Sequence, residues 1–434
     1  MTVIEIDDLA LRVTRDGTLV CASPSIALVE DARVLTGAAA QARAQWQPRA
    51  VYSRFWQQLN DTPLPRPSRA CRHHADLAWH HLGAVLDAAG RPSRAALAVP
   101  GYYGEAELGL LLGLCAAQGL AVDALVDSAV AALAGVAPRG RYVVCDLTRH
   151  HALLTTLDVT DEVARVALED VPEIGLARVT AAAAELAAGA LLTQARCDAL
   201  HDAASAQRLH DALPGWLAAA REAREVTLTL DVGGREHRAR VASREFERVV
   251  VMVLQGLLER LPQDARVLLT APLAALPGAP ELLAPAAALP VTAVAAGMAQ
   301  ATFAGAGDGD RAATPYLTRL PACATPTLAH EDAQLRPATS RVPTHVLYGS
   351  EAHALDAAPL YLHADGSATR AAHGPAAFLR LTPQGALLRG GDLAVHLNGV
   401  AVDAEARVEA GDHITLGAAR ALCLAIVVHD RRAP

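Results

Sequence analysis

The sequence predicts an α/β protein: a large core of strands and helices containing parallel sheet, followed by a small all-β sandwich. Three observations lead there. Between residues 76 and 135 helical apolar faces alternate with short apolar strands, in a β-α-β-α rhythm. The alternation resumes at residue 141 and runs to about residue 304. Beyond residue 344 the runs become short, with turn residues every eight to ten positions.

In chain order, residues 3–28 alternate apolar and polar positions around Asp16-Gly17, a hairpin turn pair. Ile4, Ile6, Leu9, Leu11 and Val13 make the outgoing strand, Thr18 to Ala22 the return, and Ser23-Pro24-Ser25 ends it. Residues 33–60 predict a short helix and an extended loop, and Pro63, Pro65 and Pro67 mark a surface excursion. A helix over 76–88 aligns Leu77, His81 or Leu82, and Leu86 along one face. The strand over 95–99 stops at Pro100-Gly101, and helix 105–118, strand 122–126 and helix 128–135 follow. Strands over 141–147, 153–159 and 163–168 precede an Ala-rich helical stretch, 174–222. Gly233-Gly234 closes a hairpin of 226–232 with 236–241. A helix over 245–261, strand 267–270, helix 280–288, strand 291–294 and helix 296–304 complete the core. The Gly-, Asp-, Ala-, Thr- and Pro-rich residues 306–343 predict a linker.

Composition narrows function. With 52% hydrophobic and 19% charged residues, the chain can bury a large core. A net charge of −8 and only 3% aromatic residues argue against nucleic acid as a partner. The N-terminus lacks a basic and apolar leader pattern, and Pro285 and Pro290 interrupt the weakly charged stretch 282–307. The expectation is a cytoplasmic protein without a membrane partner. The seven cysteines are scattered, which suits reduced, buried thiols.

A specific order of motifs runs through residues 95–135. Ala98-Val99-Pro100-Gly101-Tyr102-Tyr103 ends a strand, a helix and Gly119-Leu120 follow, and Val126-Asp127-Ser128-Ala129-Val130-Ala131-Ala132-Leu133-Ala134-Gly135 opens the next helix. This resembles DnaK-type heat-shock chaperones. There a Val-Pro-Ala-Tyr-Phe-like turn, a helix, a Gly-Leu and an acid-Pro-Thr-Ala-Ala-Ala-Leu-Ala-Gly helix occur at similar spacing. Asp7 falls at the acid of that family's first phosphate loop, and Cys145-Asp146-Leu147 at the opening of its second. The resemblance spans about residues 3–305. It implies a two-lobed actin/DnaK-type ATPase core with lobe I over 1–140 and lobe II over 141–305. The linker 306–343 and the sandwich 344–434 follow.

The family's chemistry rests on glycines that let backbone N–H groups approach phosphates, with carboxylates holding Mg²⁺ through water. Where the family has Asp-Leu-Gly-Thr-Thr, this chain has Asp7-Asp8-Leu9-Ala10-Leu11. Where it has Asp-Leu-Gly-Gly-Gly-Thr, this chain has Asp146-Leu147-Thr148-Arg149-His150-His151. The Gly-Gly-Ser adenosine turn is replaced by Thr270-Ala271-Pro272-Leu273, whose proline lacks an N–H. The resemblance therefore leaves Asp7, Asp127, Asp146 and Thr148 as nucleotide or Mg²⁺ candidates. Asp127 is also a natural helix N-cap. Arg149, His150 and His151 are candidates for binding an anion by side chain. On this reading ATP and Mg²⁺ are not required cofactors.

His73, His74, His80 and His81 form two pairs seven residues apart, about 10 Å along a helix, too far to share a zinc ion. Near the C-terminus, Asn398-Gly399 and Gly411-Asp412-His413-Ile414-Thr415-Leu416-Gly417 resemble the second half of a forkhead-associated sandwich. Of that family's phosphothreonine signature only His373 has a counterpart, and Arg370 stands in place of the serine. The expected function is a non-enzymatic pseudo-ATPase that binds or scaffolds a protein partner, with oligomerisation compatible. The alternatives are an active or weakly nucleotide-binding chaperone-type ATPase and an actin-like filament protein.

Overall fold

In a computed structural model, the described residues are 1–172, 174–262, 265–301, 314–323 and 343–348, and, from 351 to 426, all but 364–366, 372–375, 383–384, 391–392, 398–399, 403, 409–411 and 417–420. The protein is mixed α/β and divides into two units, Met1–Arg336 and Pro337–Pro434.

The first unit is organised by two six-stranded sheets that repeat one plan. In the first, strands Thr2–Ile6, Ala10–Arg15 and Thr18–Pro24 form an antiparallel meander. Strands Arg94–Val99 and Ala121–Asp127 extend it, in parallel, from the first strand. In the second, Gly140–Leu147, His151–Val159 and Glu162–Pro172 form the meander. Arg266–Leu269 and Ala286–Ala288 extend that one in parallel. Both sheets therefore run third, second, first, fourth, fifth across their width.

The expected single strand over Ile4–Val13 is two strands. Asp7 Oδ1 accepts the N–H groups of Leu9 (2.6 Å) and Ala10 (2.7 Å), so the acid turns the chain by a side-chain hydrogen bond. Register then sets Glu5 opposite Arg12. Of residues 33–60, expected as a short helix and an extended loop, Ala38–Gln41 are helical, while Arg33–Thr36 and Val51–Tyr52 pair with Ala27–Glu30 in a small antiparallel sheet. The helical stretch 174–222 is two helices, Leu176–Ala195 and Ala203–Glu222. Leu176–Ala195 is long and apolar enough to cross a membrane, and its Val179, Ala183, Ala187 and Leu191 are packed inside the unit.

Two further differences lie in Ala- and Pro-rich sequence. Residues 280–288, expected as helix, contain the strand Ala286–Ala288, and 291–294, expected as strand, lead into helix Ala293–Gln300. Pairing with Arg266–Leu269 decides this, and alanine runs carry no periodicity that reports it. Within the expected linker, Tyr316–Leu317 pairs with Ala121–Asp127, and Arg319–Pro321 pairs with Glu162–Pro172. These two short strands cover one edge of each sheet, where open N–H and C=O groups would otherwise remain.

Helix His74–Ala88 packs over the first sheet. Buried Trp56 donates its indole N–H to His81 Nδ1 (2.9 Å), and His81 Nε2 meets Ser23 Oγ (2.9 Å). Burial pushes the His81 pKa down to about 3, so this histidine is a neutral core residue. Helices Ser128–Ala134 and Ala293–Gln300 share one apolar cluster with strands of both sheets. They touch through Gly135 and Gly297: a Cβ at Gly297 would lie 1.8 Å from Ala131 O.

Among its described residues the second unit has a six-stranded and a five-stranded sheet, with antiparallel pairings throughout. Val346, Leu362, Leu379, Leu388, Ile414 and Leu416, drawn from both sheets, form one buried cluster. Arg370 Nη1 donates to Asp356 Oδ1 (3.0 Å) and Ala358 O (2.8 Å). His373, Asn398-Gly399, Gly411 and Gly417 lie outside the described residues.

Candidate functional site

A cavity of about 250 Å³ in the first unit is lined from both sheets and both crossing helices. It gathers all four nucleotide candidates, Asp7, Asp127, Asp146 and Thr148, together with Glu5, Arg12 and Thr155. Each acid is held by a particular local device. Asp7 sits in the turn after Thr2–Ile6, and its Oδ2 takes Arg12 Nη1 at 3.0 Å, the guanidinium that also reaches Glu5 Oε1 at 3.2 Å. Asp127 caps helix Ser128–Ala134, accepting from Ala129 N (2.9 Å) and Val130 N (3.2 Å). Its other oxygen takes Arg165 Nη1 at 2.5 Å. Arg165 also reaches Gly101 O (2.7 Å), and a side chain at Gly101 would meet both Asp127 and Arg165. Asp146 ends Gly140–Leu147 and accepts from Thr270 Oγ1 at 2.8 Å. Thr148 Oγ1 is turned back onto His151 O (2.9 Å).

Burial dominates the proton affinities. It raises Glu5 to about 7 against the pull of Arg12, with Asp7 and Asp146 adding to the rise. Burial and then the Asp7 charge raise Asp146 to about 6, while the Thr270 hydroxyl opposes them. Asp8 is fully buried and is also raised by burial; Arg149 N–H donates to its Oδ1 at 2.7 Å and opposes the rise.

The expected anion ligands are engaged elsewhere. Arg149 points its guanidinium at Asp8 O (3.1 Å) and Leu9 O (3.2 Å), on the opposite hairpin. His150 Nε2 lies 2.9 Å from Ser53 Oγ, and burial, with Arg54 and Arg149 nearby, lowers its pKa to about 4. His151 Nδ1 meets Asp170 Oδ1 at 2.6 Å. Asp8 Oδ2, Tyr102 Oη and His151 Nε2 are buried without a hydrogen-bond partner.

These residues do not fit the triphosphate and Mg²⁺ that the resemblance implies. The N–H groups of Leu9, Ala10 and Arg149 are spent on Asp7 and Asp8, so they are not offered to a phosphate. Pro272 offers no N–H at the turn where the resemblance would put an adenosine. Among the described residues, no group of three His, Cys, Asp or Glu side chains is arranged to hold a metal ion.

Arg12, Glu5, Arg165 and Thr155 were not legible as site residues. The Glu5–Arg12 pair follows from the tight turn at Asp7, so an Asp-Asp-Leu turn signal would have found it. Arg165 meets Asp127 across 38 residues, and no local pattern encodes that. No protein-family model matches this chain, and no curated protein matches it.

Proposed function

We propose that this chain is a degenerate actin/DnaK-type ATPase fold that acts as a non-enzymatic, cytoplasmic scaffold for a protein partner. The C-terminal unit serves as a forkhead-associated-like sandwich that adds a second contact surface. The repeated strand order of the two sheets, and the pair of helices crossing between them, support the fold reading. One observation carries the functional reading: the two turns that would clasp a phosphate are bonded to each other. Arg149 joins its hairpin to Asp8 and Leu9 through three hydrogen bonds. Around that junction the acids outnumber the bases, and a triphosphate is repelled. Calorimetric titration of the full chain with Mg²⁺-ATP tests this. The expected result is no saturable heat at micromolar protein, and micromolar affinity with phosphate release would sink the reading.

A further inference from the structure

We propose that the cavity between the two sheets binds a small organic monocation, an ammonium group on a short apolar body, rather than a nucleotide. The inference goes beyond the scaffold reading and shares with it only the exclusion of phosphate.

Charge is the first argument. Glu5, Asp7, Asp127 and Asp146 line the cavity. Arg12 answers Asp7 and leans on Glu5, and Arg165 answers Asp127. Four carboxyl groups thus face two guanidinium groups, leaving two acids in excess. Among the described residues no donor reaches Asp146 Oδ2 or Glu5 Oε2, although each acid uses its other oxygen. A cation carrying N–H donors satisfies both, and an anion satisfies neither.

Thr155 is only 3% exposed, lines the cavity, and its hydroxyl has no partner among the described residues. Such a group, nine-tenths buried and facing an open volume, is satisfied by a guest.

Shape and polarity complete the case. Leu9, Val144, Leu153, Leu289 and Val294 form much of the wall. A hydrated Mg²⁺ keeps its waters and prefers oxygen on all sides, so these walls suit a hydrocarbon body better. The volume of about 250 Å³ lies below the about 300–1,000 Å³ of drug-sized sites, so the guest is small. Proton affinity agrees. Burial raises Glu5 to about 7 and Asp146 to about 6, so both take up protons as pH falls through that range, and a bound cation opposes the uptake. Affinity should therefore rise with pH between about 5 and 8. The charged groups that bear on these two acids are Asp7 and Arg12 on both, Asp8 on Asp146, and Asp146 itself on Glu5.

The test is calorimetric titration of the full chain with n-pentylammonium, 1-pentanol, pentanoate, Mg²⁺ and Mg²⁺-ATP near neutral pH. Pentylammonium should bind at least about ten-fold more tightly than the alcohol or the acid, with a heat that changes between buffers of different ionisation enthalpy. Asp146→Asn should weaken it by about ten-fold or more, and Thr155→Val by several-fold, with both variants still unfolding in a single cooperative thermal transition. Equal binding of pentanol, unchanged affinity in Asp146→Asn, or tighter binding of Mg²⁺ would overturn the inference. Binding by none of the probes overturns it and leaves the scaffold reading standing, while micromolar Mg²⁺-ATP binding overturns both.

Discussion

Gly297→Ala places one methyl group where two helices meet backbone to backbone. The added Cβ would stand 1.8 Å from Ala131 O and 2.8 Å from Ala131 C. Gly135 meets the same crossing from the other side, with a Cβ only 2.6 Å from Gly297 N. These obstacles are backbone, so no side chain can rotate away. The helices must separate by about 1.2 Å to reach even a 3.0 Å contact, which loosens the packing of Val130, Leu133 and Met298. Overpacking of this kind costs about 3 kcal/mol, and the better helix propensity of alanine returns about 1. The expected net loss is about 2 kcal/mol. Gly189→Ala is the control, because its Cβ meets nothing within 4 Å in the middle of helix Leu176–Ala195. It should stabilise by about 0.5–1 kcal/mol. Urea unfolding at unchanged slope measures both. If Gly297→Ala matches or exceeds wild-type stability, or if Gly189→Ala is as damaging, the crossing-helix argument fails.

Three other outcomes follow from the same structure. Arg165→Gln should destabilise by about 3–5 kcal/mol by stranding the buried Asp127 charge, and adding Asp127→Asn should restore a large part; chemical denaturation of both variants decides, and no restoration would remove the ion pair as the cause. Asp146 has a folded pKa near 6, above its ordinary 3.8, so its contribution grows as pH falls through 6 and is lost as pH rises. Relative to Asp146→Asn, the wild type should gain about 2–3 kcal/mol between pH 7 and pH 4, and a flat difference would mean the acid is not desolvated. Trp56→Phe leaves His81 Nδ1 buried without its donor and opens space beside it, for an expected loss of about 2–4 kcal/mol in urea unfolding. A loss below about 1 kcal/mol would show that the indole bond is dispensable.

Much of the architecture is local and can be read directly. Helix His74–Ala88 follows from Leu77, Leu82 and Leu86 on one face, and the hairpin at Gly233-Gly234 from two glycines with positive φ. Asp127 is visible as a cap because capping uses amides two and three residues ahead. Equally plain is that residues 7–11 and 148–151 contain no glycine. The sequence by itself thus determined the alternation of strands and helices, the placement of Asp7, Asp127 and Asp146, and the absence of glycine from residues 7–11 and 148–151. Tertiary structure alone decided what those acids meet. Arg149 reaches Asp8 across 141 residues and Arg165 reaches Asp127 across 38, so neither pairing leaves a mark in any local window. The strand Ala286–Ala288 and the edge strands at Tyr316–Pro321 exist only because a partner strand stands beside them. Periodicity reports which face of an element is buried; which partner does the burying is set by contacts between residues far apart in the chain.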